Sequence, residues 1–148
     1  MKQILLSAKV IVGVAFSLLI TQSIPAFAGN VILIIGDGMD DAQITIARNY
    51  LVGPRGKLSL DHLPVRSSVQ VLSVSDQNPD QTVYVADSAN SATAIATGVV
   101  TSRGRVGTTA GTDLDVINII DLAQARGVKT GLVTTANVTD ATPAAFYA

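Results

Sequence analysis

The sequence predicts an α/β fold, a three-layer α/β/α sandwich built around a mostly parallel sheet. Residues 31–35, VILII, form an unbroken aliphatic run, which is typical of a strand buried on both faces. Residues 128–134 give a second strand pattern, and helical patterns occupy residues 41–51 and 115–126. Strands that alternate with helices favour a sheet covered by helices on both sides.

The first 28 residues are typical of a secretory signal peptide. Lys2 and Lys9 supply positive charge, residues 10–20 are apolar, and residues 25–28, PAFA, end in a small-x-small cleavage pattern. The apolar run is shorter than the ~20 residues that a membrane span needs, which argues against a stable membrane anchor. We therefore expect export to the periplasm or the extracellular space, with residues 29–148 as one mature domain.

Composition excludes several classes of protein. Ten Lys and Arg balance eleven Asp and Glu, for a net charge of -1, so no basic surface is available for nucleic-acid-specific binding. Charged residues are only 14% of the chain and hydrophobic residues 48%, which argues against disorder. The absence of cysteine from the sequence excludes a disulfide scaffold and any thiolate metal site.

The remaining elements follow from local signals. Glycine or proline residues indicate where the helical segments begin or end, and small polar residues are typical of loops. The sequence predicts, in order, a helix at 41–51, an exposed strand at 66–74, a polar loop at 75–80, a helix from 88 to Gly98, a glycine-rich loop at 101–112, a helix at 115–126 capped by Gly127, and a last helix beginning with Thr142 at its N-cap and Pro143 in its first turn.

Two carboxylates and a serine lie where a chain of this fold class binds ligands. Asp37 stands between two glycines at the carboxyl end of the first strand, where open α/β sheets bind ligands, although such an aspartate equally serves as a cap or turn residue. Ser88 follows Asp87 at a helix start, where backbone N–H groups favour negative charge. Either residue could instead cap the helix.

Ser88 has no obvious histidine base. His62 is the only histidine in the sequence, and it lies in a predicted surface turn, so a Ser-His-Asp triad is unsupported. A nucleophilic Ser88 would therefore need a metal ion to lower the pKa of its hydroxyl. Asp140 and Thr142 follow the second strand and offer oxygen ligands suited to Mg²⁺, with simple N-capping as the alternative reading.

Three segments together resemble the alkaline phosphatase family. Residues 30–50, NVILIIGDGMDDAQITIARNY, resemble the family's first strand, metal-binding aspartate and following helix. Residues 87–97, DSANSATAIAT, resemble its nucleophile segment, and residues 139–145, TDATPAA, resemble its magnesium-site segment. They occur in the family's order and at similar intervals, across essentially the whole mature chain.

The resemblance implies a phosphate-monoester hydrolase with two Zn²⁺ and one Mg²⁺. Ser88 matches the nucleophile that becomes phosphoserine, and as an alkoxide it also contacts zinc. Asp37 matches the aspartate shared between a zinc and the magnesium, and Thr142 matches a magnesium ligand. Asp140 matches a carboxylate beside that magnesium, and Asp87 matches a residue that orients a phosphate-binding arginine. The family is commonly dimeric, which implies a homodimer for a complete protein.

The chain departs from the family in two ways. The other zinc ligands and the phosphate-binding arginine lie beyond Ala148 in the family, so we expect this chain to be an N-terminal fragment. We also expect it to be poorly soluble or partly unfolded when made alone. Asp40 stands where the family usually has glycine, and could disturb the turn at Asp37. A related phosphodiesterase or sulfatase, and a non-catalytic metal- or phosphate-binding fragment, remain alternatives.

Overall fold

The computed structural model describes residues 29–148, and the signal segment expected at residues 1–28 lies outside them. Contacts divide the chain after Ile35, and all named elements belong to the unit Gly36–Ala148. Within the described residues, no helix is long and apolar enough to cross a membrane. The elements are α1 (Asp41–Val52), a 3-10 helix (Ser59–His62), β1 (Ser73–Val74), β2 (Thr82–Val83), α2 (Ser88–Thr97), α3 (Ile119–Gln124) and α4 (Ala141–Ala144).

Helix α1 confirms the first predicted helix, and Asp40 is the residue that starts it. The Asp40 carboxylate accepts hydrogen bonds from the backbone N–H groups of Ala42 at 2.7 Å and Gln43 at 3.3 Å. Its backbone is extended, with φ of -118°, whereas Gly38 adopts the positive φ of the turn, +67°. An aspartate at position 40 is therefore unstrained and caps α1 rather than disturbing the turn.

Helix α2 confirms the second predicted helix and ends as expected. Gly98 takes the left-handed conformation, with φ of +75°, and its N–H donates to Ala94 O at 2.9 Å. Helix α3 is shorter than predicted and begins after Asn118, because Asp115 is held in an isolated antiparallel bridge with Thr108. The start predicted at Asp115 was therefore wrong.

The described residues form only a two-stranded antiparallel sheet, which pairs Ser73 with Val83 and Val74 with Thr82 across the predicted polar loop. The strand predicted at 66–74 is confined to its last two residues. The strands predicted at 31–35 and 128–134 do not form, and they leave Ile34 87% exposed and Val133 fully exposed. A strand needs ladder partners, and no described residue pairs with either segment. Residues 29–148 thus do not form the expected sandwich.

The core of the unit lies where α2 meets α4. Ala92 and Ala96 of α2 pack with Ala145 and Phe146, and all four side chains are buried. Alanine side chains allow two helices to approach closely, which explains why an Ala- and Thr-rich segment forms this contact. The packing brings the helix that begins with Ser88 against the helix that contains Thr142.

Candidate active site

Ser88 is the first residue of α2, and it is exposed. The capping function belongs to Asp87, whose Oδ1 accepts a hydrogen bond from Asn90 N–H at 3.0 Å. Asn90 Oδ1 accepts in return from Asp87 N–H at 2.8 Å, which completes a reciprocal capping box. Since Asp87 caps the helix, the capping reading of Ser88 is wrong, and its hydroxyl stands at a helix start that favours negative charge.

Both carboxylate oxygens of Asp87 are held. While Oδ1 caps α2, Oδ2 accepts a hydrogen bond from Gly104 N–H at 2.8 Å. The guanidinium of Arg103 lies farther away, with 3.9 Å between its Nε and Asp87 Oδ2. Asp87, the residue before Ser88, is thus held both by α2 and by the loop that follows α2.

Sequence reasoning missed two side chains that hold α2 in place. Asn90 is fully buried, and its Nδ2 donates to Leu72 O at 3.3 Å and Thr101 O at 3.5 Å. Thr93 is fully buried one turn further along. The Asp-x-x-Asn spacing could have identified Asn90 as a capping partner, whereas the partners of Thr93 lie in a distant loop.

Asp37 and Thr142 lie in direct contact although they are 105 positions apart in the sequence. Thr142 Oγ1 donates a hydrogen bond to Asp37 Oδ2 at 2.7 Å. Asp37 sits in a tight turn closed by Met39 N–H donating to Gly36 O at 3.2 Å. The structure therefore brings together two of the residues expected to bind metal.

Asp140, not Thr142, occupies the N-cap position of α4. Thr142 is the second residue of that helix and Pro143 the third, so the start predicted at Thr142 was wrong by two residues. Pro143 fits the first turn because its missing N–H would have no helical partner there. The Asp140 side chain does not cap α4; its Oδ2 accepts from Asn137 N–H at 3.2 Å. No hydrogen bond among residues 29–148 joins Asp140 to Asp37.

The donor set fits a hard cation in part. Asp37 and Thr142 present adjacent oxygens, and the six ligands of Mg²⁺ at about 2.1 Å place neighbouring oxygens about 3 Å apart. Their 2.7 Å separation is compatible with two such ligands. Residues 29–148 contain no cluster of three or more His, Asp or Glu that could hold a metal, and His62 is exposed at the end of the 3-10 helix. Two imidazole-rich zinc sites therefore cannot be built from this part of the chain alone.

Comparison with known proteins identifies the family of this chain. The family model "Alkaline phosphatase" matches residues 28–148. Streptomycin-6-phosphate phosphatase of Streptomyces griseus is 50% identical over 127 residues, covering 86% of this chain and 28% of that protein. Alkaline phosphatase of Escherichia coli (strain K12) is 45% identical over 124 residues, covering 82% and 26%.

Alkaline phosphatase H of Pseudomonas aeruginosa (strain UCBPP-PA14) is 44% identical over 129 residues, covering 82% of this chain and 25% of that protein. The chain thus spans about a quarter of the length of these curated relatives. The match covers almost all of the residues that the structure describes. The chain belongs to the alkaline phosphatase family.

Proposed function

We propose that this chain supplies the nucleophile and part of the metal site of an exported alkaline phosphatase, which hydrolyses phosphate monoesters through a phosphoserine at Ser88. The observation that carries the proposal is the contact between Asp37 and Thr142. Local helix capping does not account for a contact between residues 105 positions apart, whereas adjacent ligands of one octahedral cation have oxygens about 3 Å apart.

Ser88 is proposed to attack the phosphorus atom of the substrate. Its Oγ would lose its proton to solvent and form a P–O bond as the bond to the leaving oxygen breaks; that oxygen would take up a proton from solvent, which gives phosphoserine and the free alcohol. Water then hydrolyses the phosphoserine, releases inorganic phosphate and restores the hydroxyl. The N–H groups at the start of α2 would stabilise negative charge on Ser88 and the phosphate oxygens during both steps.

Asp37 and Thr142 are proposed to hold Mg²⁺, with Asp140 acting beside it and Asp37 also facing a zinc ion. Such divalent cations, when bound, lower the pKa of the serine hydroxyl and neutralise phosphate charge. The other ligands of two zinc ions would come from outside residues 29–148. For the whole protein we propose the α/β/α sandwich, and a homodimer in the periplasm or extracellular space.

A paired substitution tests the nucleophile. In the protein expressed from its complete gene, Ser88→Ala should abolish p-nitrophenyl phosphate hydrolysis. Ser91→Ala is the matched control, since it removes a half-buried serine from the same helix, and it should retain activity within about twofold because no bond to the phosphate is lost. Undiminished turnover in Ser88→Ala would overturn the assignment.

A further inference from the structure

A single carboxylate ties together both ends of the loop that follows α2. Asp76, in the turn between β1 and β2, accepts from Ser102 Oγ at 2.8 Å and from Gly111 N–H at 2.9 Å. It also accepts from Arg105 Nε at 3.0 Å and Nη2 at 2.9 Å. We call these four residues the Asp76 cluster. Residues 102–111 are therefore anchored at their start, middle and end.

Arg105 makes the strongest contacts in the Asp76 cluster. Its side chain is 18% exposed, and its guanidinium also pairs with Asp113. The bidentate bond from Arg105 holds the pKa of Asp76 well below its usual range. Such paired, charge-assisted bonds fix both distance and angle, and a lysine cannot reproduce them.

The same loop is fastened to α2 at two points. Gly104 N–H donates to Asp87 Oδ2 at 2.8 Å, beside Ser88. Further along the helix, Thr93 Oγ1 donates to Arg105 O at 3.1 Å and accepts from Gly107 N–H at 3.0 Å. Arg105 is thus bonded to Asp76 through its side chain and to α2 through its carbonyl.

The direction of the Gly104 N–H depends on the shape of this loop. Gly104 and Gly107 both adopt positive φ, +78° and +68°, a conformation that side chains disfavour. Because glycine adopts other conformations as readily, contacts from outside the segment favour the one observed. The Asp76 cluster and Thr93 supply those contacts.

We propose that Arg105 is a positioning residue for Ser88. Together with Asp76 it holds the loop so that Gly104 N–H fixes Asp87 Oδ2 while Asp87 Oδ1 caps α2. With both oxygens held, the Asp87 carboxylate cannot rotate, and the first turn of α2 keeps Ser88 in its reactive position. This inference rests on the proposed role of Ser88 as nucleophile.

The test is the single-turnover rate of Ser88 phosphorylation, measured by rapid quench at saturating p-nitrophenyl phosphate in the protein from the complete gene. Arg105→Lys should slow phosphorylation by about tenfold or more, because small displacements of a reacting group cost large factors in rate. The control is Arg48→Lys. Arg48 forms the same kind of two-bond pair, with Asp61, but joins α1 to the 3-10 helix. Its rate should stay within about twofold of wild type.

A second pair of variants keeps the proposal testable if Arg105→Lys does not fold. Thr93→Val removes the hydroxyl that holds the loop and should slow phosphorylation. Thr93→Ser keeps the hydroxyl and should phosphorylate at the wild-type rate. A wild-type rate in Arg105→Lys or Thr93→Val, or an equal loss in Arg48→Lys, would overturn the positioning role. Phosphate incorporation that persists in Ser88→Ala would instead overturn the proposed function itself, so the two failures are distinguishable.

Discussion

Two parts of this chain illustrate opposite ways in which sequence determines structure. The caps, side-chain hydrogen bonds and ion pairs that hold helix α2 and its following loop all lie within residues 72–113, and α2 also packs against Ala145 and Phe146. The aliphatic segments 31–35 and 128–134 are richer in strand-forming residues, yet they form no strand and remain exposed. A capped helix carries its own partners, whereas a strand needs a neighbour to complete its hydrogen bonds.

The largest expected effect is on aggregation, and it comes from the exposed segments. Residues 29–148 made alone should aggregate, because an apolar segment with open backbone groups invites pairing with other chains. Ile34→Lys should reduce aggregation strongly, measured by light scattering. Ile46→Lys is the control: it also removes an exposed isoleucine, but from α1, whose backbone bonds are satisfied. A monomeric preparation with a cooperative thermal transition would contradict this prediction.

Removing the packing between α2 and α4 should give the next largest effect, a loss of stability. Phe146 is 5% exposed and belongs to the core, so Phe146→Ala should destabilise α2 by about 3–5 kcal/mol. The comparison variant is Val133→Ala. Because the Val133 side chain is fully exposed, this substitution should change the stability of α2 by less than about 0.5 kcal/mol. Native-state hydrogen exchange of α2 amides measures both, in residues 29–148 kept monomeric by Ile34→Lys. Equal losses would show that residues 128–134 are packed as firmly as the core.

The buried cap of α2 should give a smaller effect. Asn90→Ala removes the reciprocal cap and the Nδ2 donor to Leu72 O and Thr101 O, of which Thr101 O still accepts from Val74 N–H at 3.4 Å. The free energy of unfolding should fall by about 1–3 kcal/mol. The control, Asn49→Ala on the exposed surface of α1, should change it by less than about 0.5 kcal/mol. A urea midpoint unaltered by Asn90→Ala would argue against the observed cap.

The smallest effect is a dependence of stability on pH. The guanidinium of Arg105 holds the pKa of Asp76 below its ordinary value, so ionised Asp76 stabilises the folded loop. This contribution is fully present above the unfolded pKa of about 3.9 and is lost as pH falls through the lower folded pKa. Thermal melts between about pH 2 and 6 should show a weaker acid-induced decrease in Tm for Asp76→Asn. An unchanged pH profile would exclude Asp76 from the acid transition.

The sequence predicted those parts of the structure that depend on interactions between residues close together in the chain. Helices α1 and α2 follow from capping residues and from glycines at their ends, and these act over three or four positions. The cap at Asp140 was misplaced by two residues because Thr-Pro is an equally good local signal. No local pattern could have identified Thr93 or Asp76, since their partners lie 12 or more residues away.

The sequence offered candidate site residues but not their arrangement. Asp37, Ser88 and Thr142 were recognisable from short motifs, and their proposed roles follow from a family resemblance. The hydrogen bond between Asp37 and Thr142, 105 positions apart, depends on the fold of the chain between them, which no motif encodes. The unformed strands could not have been foreseen either, because an aliphatic run specifies a buried strand without specifying its neighbour.

The most direct test of the account is to trap the phosphorylated protein. The product of the complete gene is mixed with labelled inorganic phosphate at mildly acidic pH, quenched in acid, digested and analysed by mass spectrometry. We predict close to one phosphate per site on the peptide that contains Ser88, and none in the Ser88→Ala variant. Phosphate on another residue, or equal labelling of the Ser88→Ala variant, would contradict the claim that Ser88 is the nucleophile.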